Sequence, residues 1–269
     1  MYHITRAGEQ AEQYESADDL AFIGSEPIGA GASAQVWKAR EASLNRTVAV
    51  RLIMGPDERA ILHARTLAKA KHPNVVEVHY VKRVLHPKTN AAELGIVLEL
   101  VEGPRLDELL RGSPLSKTEL RRIADGLFSG VGHLHRIGLA HGDLHEGNIL
   151  VSPQVVKILD LANEETEIST LSMDNRRTRD LEALWRILQR LLYKAELDQA
   201  VIAMRTATAP SVASLESLRA GFETMVNEAM NEAPEKFGHE TGRPSIPDNR
   251  LRPETLCERI KTKPKMRLV

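Results

Sequence analysis

The sequence predicts an α+β fold in which an antiparallel sheet with one helix is followed by a mainly helical region, and three patterns predict it. Val36, Val48 and Val50 recur at period two around the turn signals Gly29, Gly31 and Asn45. Leu120, Ile123, Leu127, Val131 and Leu134 keep helical spacing behind a Ser116/Glu119 capping box. Leu181, Leu184, Leu188 and Leu191 fall on one side of a further helix. With 269 residues, 42% of them hydrophobic, the chain can bury the core of one large domain or of two lobes.

In chain order, residues 1–20 are polar and read as a loosely held leader. EPIGAGASAQVWKARE and NRTVAVRLIM read as strands. Pro56 suits the first turn of a helix through ERAILHARTLAKA, on which Ile61, Leu62 and Ala68 favour one face, and HPN at 72–74 stops it. VVEVHYVKRVL and ELGIVLELVE complete a sheet of five strands, giving a first lobe over 21–101. After EGPRLDELL the pattern turns helical through 102–232, including residues 195–232. From 233 to 269, Pro234, Pro244, Pro247, Pro253 and Pro264 among many charges predict a poorly packed extension.

Composition narrows the function. A formal net charge of -1 predicts no polyanion-binding surface, so no nucleic-acid partner is expected. The single cysteine, Cys257, cannot form an internal disulfide, and the first residues lack the apolar core of a signal peptide. No apolar run approaches the ~20 residues that span a bilayer. A cytoplasmic protein with no membrane association is the expectation.

The chemistry gathers in HGDLHEGNIL, His141 to Leu150, and in Asp160 beyond the next apolar run. Asp143, Asn148 and Asp160 are the set a magnesium-nucleotide reaction requires: a carboxylate to orient a nucleophile, and an amide oxygen with a second carboxylate to hold hard cations. Together with IGAGASAQV, this loop resembles the protein-kinase superfamily, whose pattern is H-R-D-x-x-x-x-N followed by D-F-G. The order and spacing of motifs extend the resemblance over roughly residues 22–195. It implies a bilobal kinase-like fold and a requirement for ATP and Mg2+.

The resemblance also implies roles. Asp143 looks like the catalytic base, Asn148 and Asp160 like the magnesium ligands, and Ile28, Gly29, Ala30 and Gly31 like the loop whose backbone covers the phosphates. Val36, Ala49 and Leu150 should sandwich the adenine, backbone groups of Glu99 and Val101 should bond its edge, and Leu98 should close the back of the pocket. Asp180 resembles the helix-borne acid that ties down the catalytic loop.

The departures are equally informative. Arg51 stands where the family has the V-A-I-K lysine, and His63 where it has the partner glutamate, so the usual ion pair is lost. His63, Glu58 and Lys38 are the conceivable compensating groups. Gly142 replaces the arginine that pairs with a phosphorylated activation loop, which removes the anchor for that kind of ordering. His145 and the form H-G-D-L-H-x-x-N are similar to bacterial atypical kinases and to phosphotransferases of the aminoglycoside and choline type. Leu161 and Ala162 replace Phe and Gly after Asp160, and no A-P-E-like segment precedes Asp180. Ser169, Thr170 and Ser172 are the nearest hydroxyl acceptors.

Three readings follow. The first is an atypical kinase that uses ATP to phosphorylate a serine or threonine of a protein substrate or of itself, with Arg51 on the phosphates. The second is a pseudokinase scaffold. The third is a small-molecule phosphotransferase with acidic contacts from Glu216, Glu223, Glu228 and Glu232.

Overall fold

Strict alternation of side chains along one strand sorts the first lobe into two apolar faces. In the computed structural model, which describes residues 19–31, 33–161, 172–206 and 214–231, that strand is β4, Arg46–Ile53. Val48, Val50 and Leu52 pack on one face with the fully buried Trp37, while Ala49 joins Ile96 and Leu98 on the other. The remaining strands are β1 (Leu20–Ile23), β2 (Gly29–Ala30), β3 (Ala34–Glu41), β5 (Val78–Leu85) and β6 (Ala92–Glu99). The sheet order is β1-β3-β4-β6-β5, all antiparallel. β1 and β2 both pair with β3, through Leu20↔Glu41 and Gly29↔Val36, so they share one lane and the expected five lanes are present. Leu20, assigned to the leader by its polar surroundings, is a buried residue of β1.

Helix α1 spans Asp57–Lys69, with Pro56 just outside its first turn as the N-cap. Its inward face is not the one the larger hydrophobics favour. Ala60, His63, Ala64 and Leu67 are buried, whereas Ile61 is 37% exposed and Ala68 faces solvent. Ala60 and Ala64 take inward positions beside His63 and Leu67, and Ile61 is left outside.

The second lobe rests on α3 (Lys117–Arg136), reached through α2 (Leu106–Arg111). Ser116 Oγ accepts the Glu119 N–H at 3.2 Å, and the Glu119 carboxylate accepts the Ser116 N–H at 3.0 Å, closing the capping box. All five apolar positions predicted on α3 are buried. Strand β8 (Val156–Ile158), paired with β7 (Ile149–Val151), lies against α3 at its glycines. A Cβ on Gly126 would stand 2.8 Å from Val156 Cβ, and one on Gly130 would stand 2.6 Å from Ile158 Cδ1.

The segment after α1 joins the same small sheet. Ile158 N–H donates to Asn74 O at 2.8 Å, Val76 N–H to Ile158 O at 2.9 Å, and Asn74 Nδ2 to Val156 O at 2.9 Å. Helices α4 (Met173–Lys194), α5 (Asp198–Thr206) and α6 (Leu215–Asn231) complete the lobe. Leu181, Leu184, Leu188 and Leu191 of α4 are buried in its core. Ala162, Ser169, Thr170, Glu232, residues 1–18 of the leader and the 233–269 extension lie outside the described residues.

Candidate active site

One buried carboxylate organises the loop that carries Asp143. Asp180, within α4 and 1% exposed, accepts the His141 N–H at 2.7 Å on Oδ2 and the Gly142 N–H at 2.9 Å on Oδ1. His135 Nε2, 2.9 Å away, donates to Oδ2 as well. Its position inside the helix makes Asp180 an anchor and not a helix cap. His141 carries the order further. Its Nε2–H donates to Leu159 O at 2.7 Å and its Nδ1 accepts the Asp143 N–H at 3.2 Å, which fixes the neutral tautomer. Complete burial pushes the imidazole pKa down, against the opposing pull of Asp180. The sequence signal for this role was only the histidine that opens the motif.

Gly142 has φ +80°, in the left-handed region where glycine carries no Cβ penalty. The missing arginine is therefore tied to backbone shape as well as to charge. Asp143 then projects outward, its side chain 71% exposed, with His145 Nε2 at 3.8 Å from Oδ2. His145 Nδ1 accepts the Gly147 N–H at 3.1 Å, so part of this histidine's work is to shape its own turn.

Asn148 Nδ2 donates to Asp143 O at 3.0 Å, which orients the side chain and leaves its amide oxygen as an acceptor. Leu159 N–H donates to Asn148 O at 2.8 Å, bringing the Asp160 backbone alongside. Asp160 itself has φ +55°, an unusual conformation for a non-glycine residue. Arg51 Nη2 lies 2.7 Å from Asp160 Oδ1, and the His63 Nε2 is 3.9 Å from the same oxygen. The two departures from the family pattern thus converge on Asp160, where the sequence had Arg51 directed at phosphates. Arg51 Nε is buried without a hydrogen-bond partner among the described residues. Glu58 is exposed on α1, and Lys38 Nζ reaches Glu102 at 3.5 Å.

The expected nucleotide walls align through sheet register. Gly29 pairs with Val36, and Val36 with Arg51, while Ala49 pairs with Lys38 on one side and Leu98 on the other. Ile28 is exposed and Gly31 donates its N–H to Ala34 O at 2.9 Å, closing the turn. Leu150, on β7, bridges in backbone to Arg105. Two groups near these walls were not legible in the sequence. Arg105 Nη2 lies 3.1 Å from where a Cβ on Gly29 would stand, so glycine there admits the guanidinium. Lys157, buried on β8, donates to Val75 O at 3.3 Å and pairs with the Glu99 carboxylate, which also accepts the Glu77 N–H at 2.7 Å. Glu99 N–H donates to Glu77 O at 3.0 Å, and Val101 follows, half-buried.

Leu161 is 1% exposed and joins Leu67, Leu98 and Leu139 in the apolar cluster that runs between the lobes. Glu216, Glu223 and Glu228 lie on the exposed side of α6, with Glu223 held by Arg219 at 2.7 Å, and so line no common acidic pocket. Ser172 caps α4, its Oγ accepting the Asn175 N–H at 3.2 Å.

A family model described as the protein kinase domain matches residues 22–176. The chain belongs to the protein kinase family. It is 33% identical over 136 residues to the putative cyclin-dependent kinase F-2 of Oryza sativa subsp. japonica, covering 47% of this chain and 42% of that protein. With the serine/threonine-protein kinase PknA of Mycobacterium tuberculosis it shares 35% identity over 145 residues, 49% of this chain and 33% of PknA. With the probable serine/threonine-protein kinase PknB of Bifidobacterium longum it shares 30% over 145 residues, 49% of this chain and 21% of PknB. The chain thus spans less than half the length of these kinase relatives. Among the described residues no helix is long and apolar enough to cross a membrane, and no group of three or more His, Cys, Asp and Glu could hold a metal ion.

Proposed function

We propose that this kinase-family chain transfers the γ-phosphoryl of ATP to a serine or threonine hydroxyl of a protein, its own included, with magnesium as the cation. The observation that carries the reading is the mutual arrangement of Asp143, Asn148 and Asp160 on backbone held by Asp180 and His141. The residues fit the cation: one amide oxygen and one carboxylate, both hard donors, suit a magnesium ion that keeps waters and takes nucleotide oxygens. They fit the nucleotide as well, because the orphaned Arg51 Nε is a buried donor awaiting an acceptor. Magnesium bound there neutralises charge on the transferred group.

The chain's own residues do the rest by positioning. Asp143, exposed at the loop, orients the acceptor hydroxyl and takes its proton. Asn148 and Asp160 hold the cation, the Gly29/Gly31 backbone covers the phosphates, and Arg51 bridges Asp160 and a phosphate oxygen. Val36, Ala49 and Leu150 enclose the base, with Leu98 behind it and backbone groups of Glu99 and Val101 at its edge. A serine or threonine acceptor accords with two of the relatives, which are serine/threonine-protein kinases.

A second reading, the pseudokinase, is favoured by one contact: the Arg51 guanidinium already occupies Asp160 Oδ1 and competes there with a cation. Intact-mass measurement after incubation with magnesium and ATP, alone and with a generic protein acceptor, separates the two. Phosphoryl addition by the parent and none by Asp143→Asn supports the kinase. Silence from both, with folded protein and no rise in melting temperature on adding magnesium-ATP, overturns it.

A further inference from the structure

A cavity of ≈ 530 Å³ opens on the second lobe between α3, the first half of α4 and the start of α6, away from the residues assigned to the nucleotide. Gly132 creates its closed end, since a Cβ there would lie 2.9 Å from Leu215 Cδ2 and hold α6 off α3. Phe128 and Leu181 give it an apolar floor, and His135, Arg136, Arg177 and Arg219 line it with cationic or titratable groups against the single acid Glu216.

The cations are not equally available. Arg219 is neutralised by Glu223 at 2.7 Å and Asp125 at 3.1 Å. Arg177 donates from Nη2 to the His135 carbonyl at 2.7 Å, touches no carboxylate among the described residues, and has a buried Nε without a partner. The Arg136 side chain is exposed, and the acid in the cavity wall on which its charge acts is Glu216. The N-terminal turn of α6, a helix of 17 residues, forms the facing wall, where Ser214 Oγ accepts the Ser217 N–H at 3.1 Å. Arg177, which touches no carboxylate among the described residues, and the exposed Arg136, which faces Glu216, stand beside an apolar lining and together match a dianion carried on a hydrocarbon stem. Glu216 reports the same field. Its own N–H and Ser214 first, then His135 and Arg136, hold its carboxyl below the usual range.

We propose that this cavity binds a phosphorylated serine or threonine of a protein segment and communicates its occupancy to the catalytic loop. The route is short. His135 lines the cavity and donates to Asp180, whose carboxylate holds the His141 and Gly142 amides, and Arg177 grips the His135 carbonyl from the cavity side. An anion drawn to Arg177 and Arg136 fixes the end of α3 that carries His135, and through Asp180 it stiffens the loop. The cation lost at Gly142 does not abolish phosphate sensing; it moves to the far side of the same anchor.

The test is calorimetric titration of the full chain, with the nucleotide cleft filled by a non-hydrolysable ATP analogue, against a short alanine-rich peptide bearing one phosphoserine. Saturable binding is expected, weaker by about tenfold or more for the unphosphorylated peptide and for Arg136→Gln, in keeping with a charge-assisted hydrogen bond. Arg136 is exposed, so its variant should keep the parent melting temperature, whereas Arg177→Gln also breaks the bond to His135 and serves only as a second probe. No saturable binding, equal binding of both peptides, or binding undiminished in Arg136→Gln each overturns the site. Inorganic phosphate that binds as tightly as the phosphopeptide overturns the protein-borne source. Coupling is read by hydrogen exchange at the His141 and Gly142 amides, expected to slow on peptide binding; unchanged exchange overturns the link.

Discussion

Replacing Asp180 by alanine removes the acceptor for three donors at once: His141 N–H at 2.7 Å, Gly142 N–H at 2.9 Å and His135 Nε2–H at 2.9 Å. A hydrogen bond to a charged acceptor contributes ~1.5–3 kcal/mol net, so the two backbone bonds alone account for ~3–6 kcal/mol. Relief of the carboxylate's desolvation offsets part of this. What remains is ~3–5 kcal/mol, the range seen when one partner is removed from a buried charged network. For a chain of this size that lowers the melting temperature by about 10 °C, at ~2–4 °C per kcal/mol. Urea unfolding followed by circular dichroism measures the loss directly, and transfer activity assayed where the variant is still folded should collapse with it, because Asp143 sits two residues beyond His141. Asp180→Asn keeps one acceptor oxygen but turns an amide against the remaining donors, so it should recover only part of the stability. A loss of less than about 1 kcal/mol in the alanine variant would refute the argument that this carboxylate anchors the loop.

Four further outcomes are expected. Arg51→Lys, His63→Glu and their combination should all transfer phosphoryl more slowly than the parent, since a shorter ammonium withdraws from Asp160; a double variant faster than the parent would mark the native site as weakened, and the mutant cycle isolates the coupling. Gly142→Arg, which forces a Cβ into φ +80°, should destabilise the fold by about 1 kcal/mol or more in urea unfolding; equal stability would contradict the strained turn. Alanine at Ser169, Thr170 and Ser172 together should leave transfer to another substrate near the parent rate while the lost α4 cap lowers stability by ~1 kcal/mol, and a collapse of transfer with ATP binding intact would reveal another loop-pairing cation. Stability should also fall as pH drops below roughly 6.5, the ordinary imidazole pKa. Burial holds His72, His79 and His141 below that value, so the unfolded chain binds more protons and stability is complete above it and lost on acidification. A urea midpoint that holds or rises between about pH 7 and 5.5 would contradict this.

Much of the architecture was legible because it is periodic. Period-two valines located β3 and β4, and the leucines of α3 and α4 fell on buried faces as their spacing predicted. Helix α1 was legible in extent and misread in orientation, because alanines, a histidine and a threonine accompany Leu67 on its inward face, and hydrophobicity ranks these below the exposed Ile61. In the candidate site, the residues named from sequence were those with distinctive chemistry at distinctive spacing. Their supports were hidden. The meeting of Arg51 and His63 at Asp160 depends on how β4 and α1 face the turn after β8, a distance of about a hundred residues along the chain that no local pattern encodes. Lys157 and Arg105 were similarly silent, since a lone cation on a strand or before a helix is ordinarily a solvated one.

The attachment of residues 74–76 to β8 shifts the boundary between the lobes. In sequence these residues belong to the first lobe, but Asn74, Val75 and Val76 are bonded to Val156, Lys157 and Ile158 and seated on glycines of α3. The lobes are therefore stitched together at the exit of α1, where four hydrogen bonds join Asn74, Val75 and Val76 to β8. Helix α1 in turn packs Ala60, Ala64 and Leu67 with the sheet residues Ala49, Ile96 and Leu98, so it is held from both lobes. Asp160 takes one contact from each of these elements, Arg51 from β4 and His63 from α1, so a single carboxylate marks where sheet, helix and the turn after β8 meet.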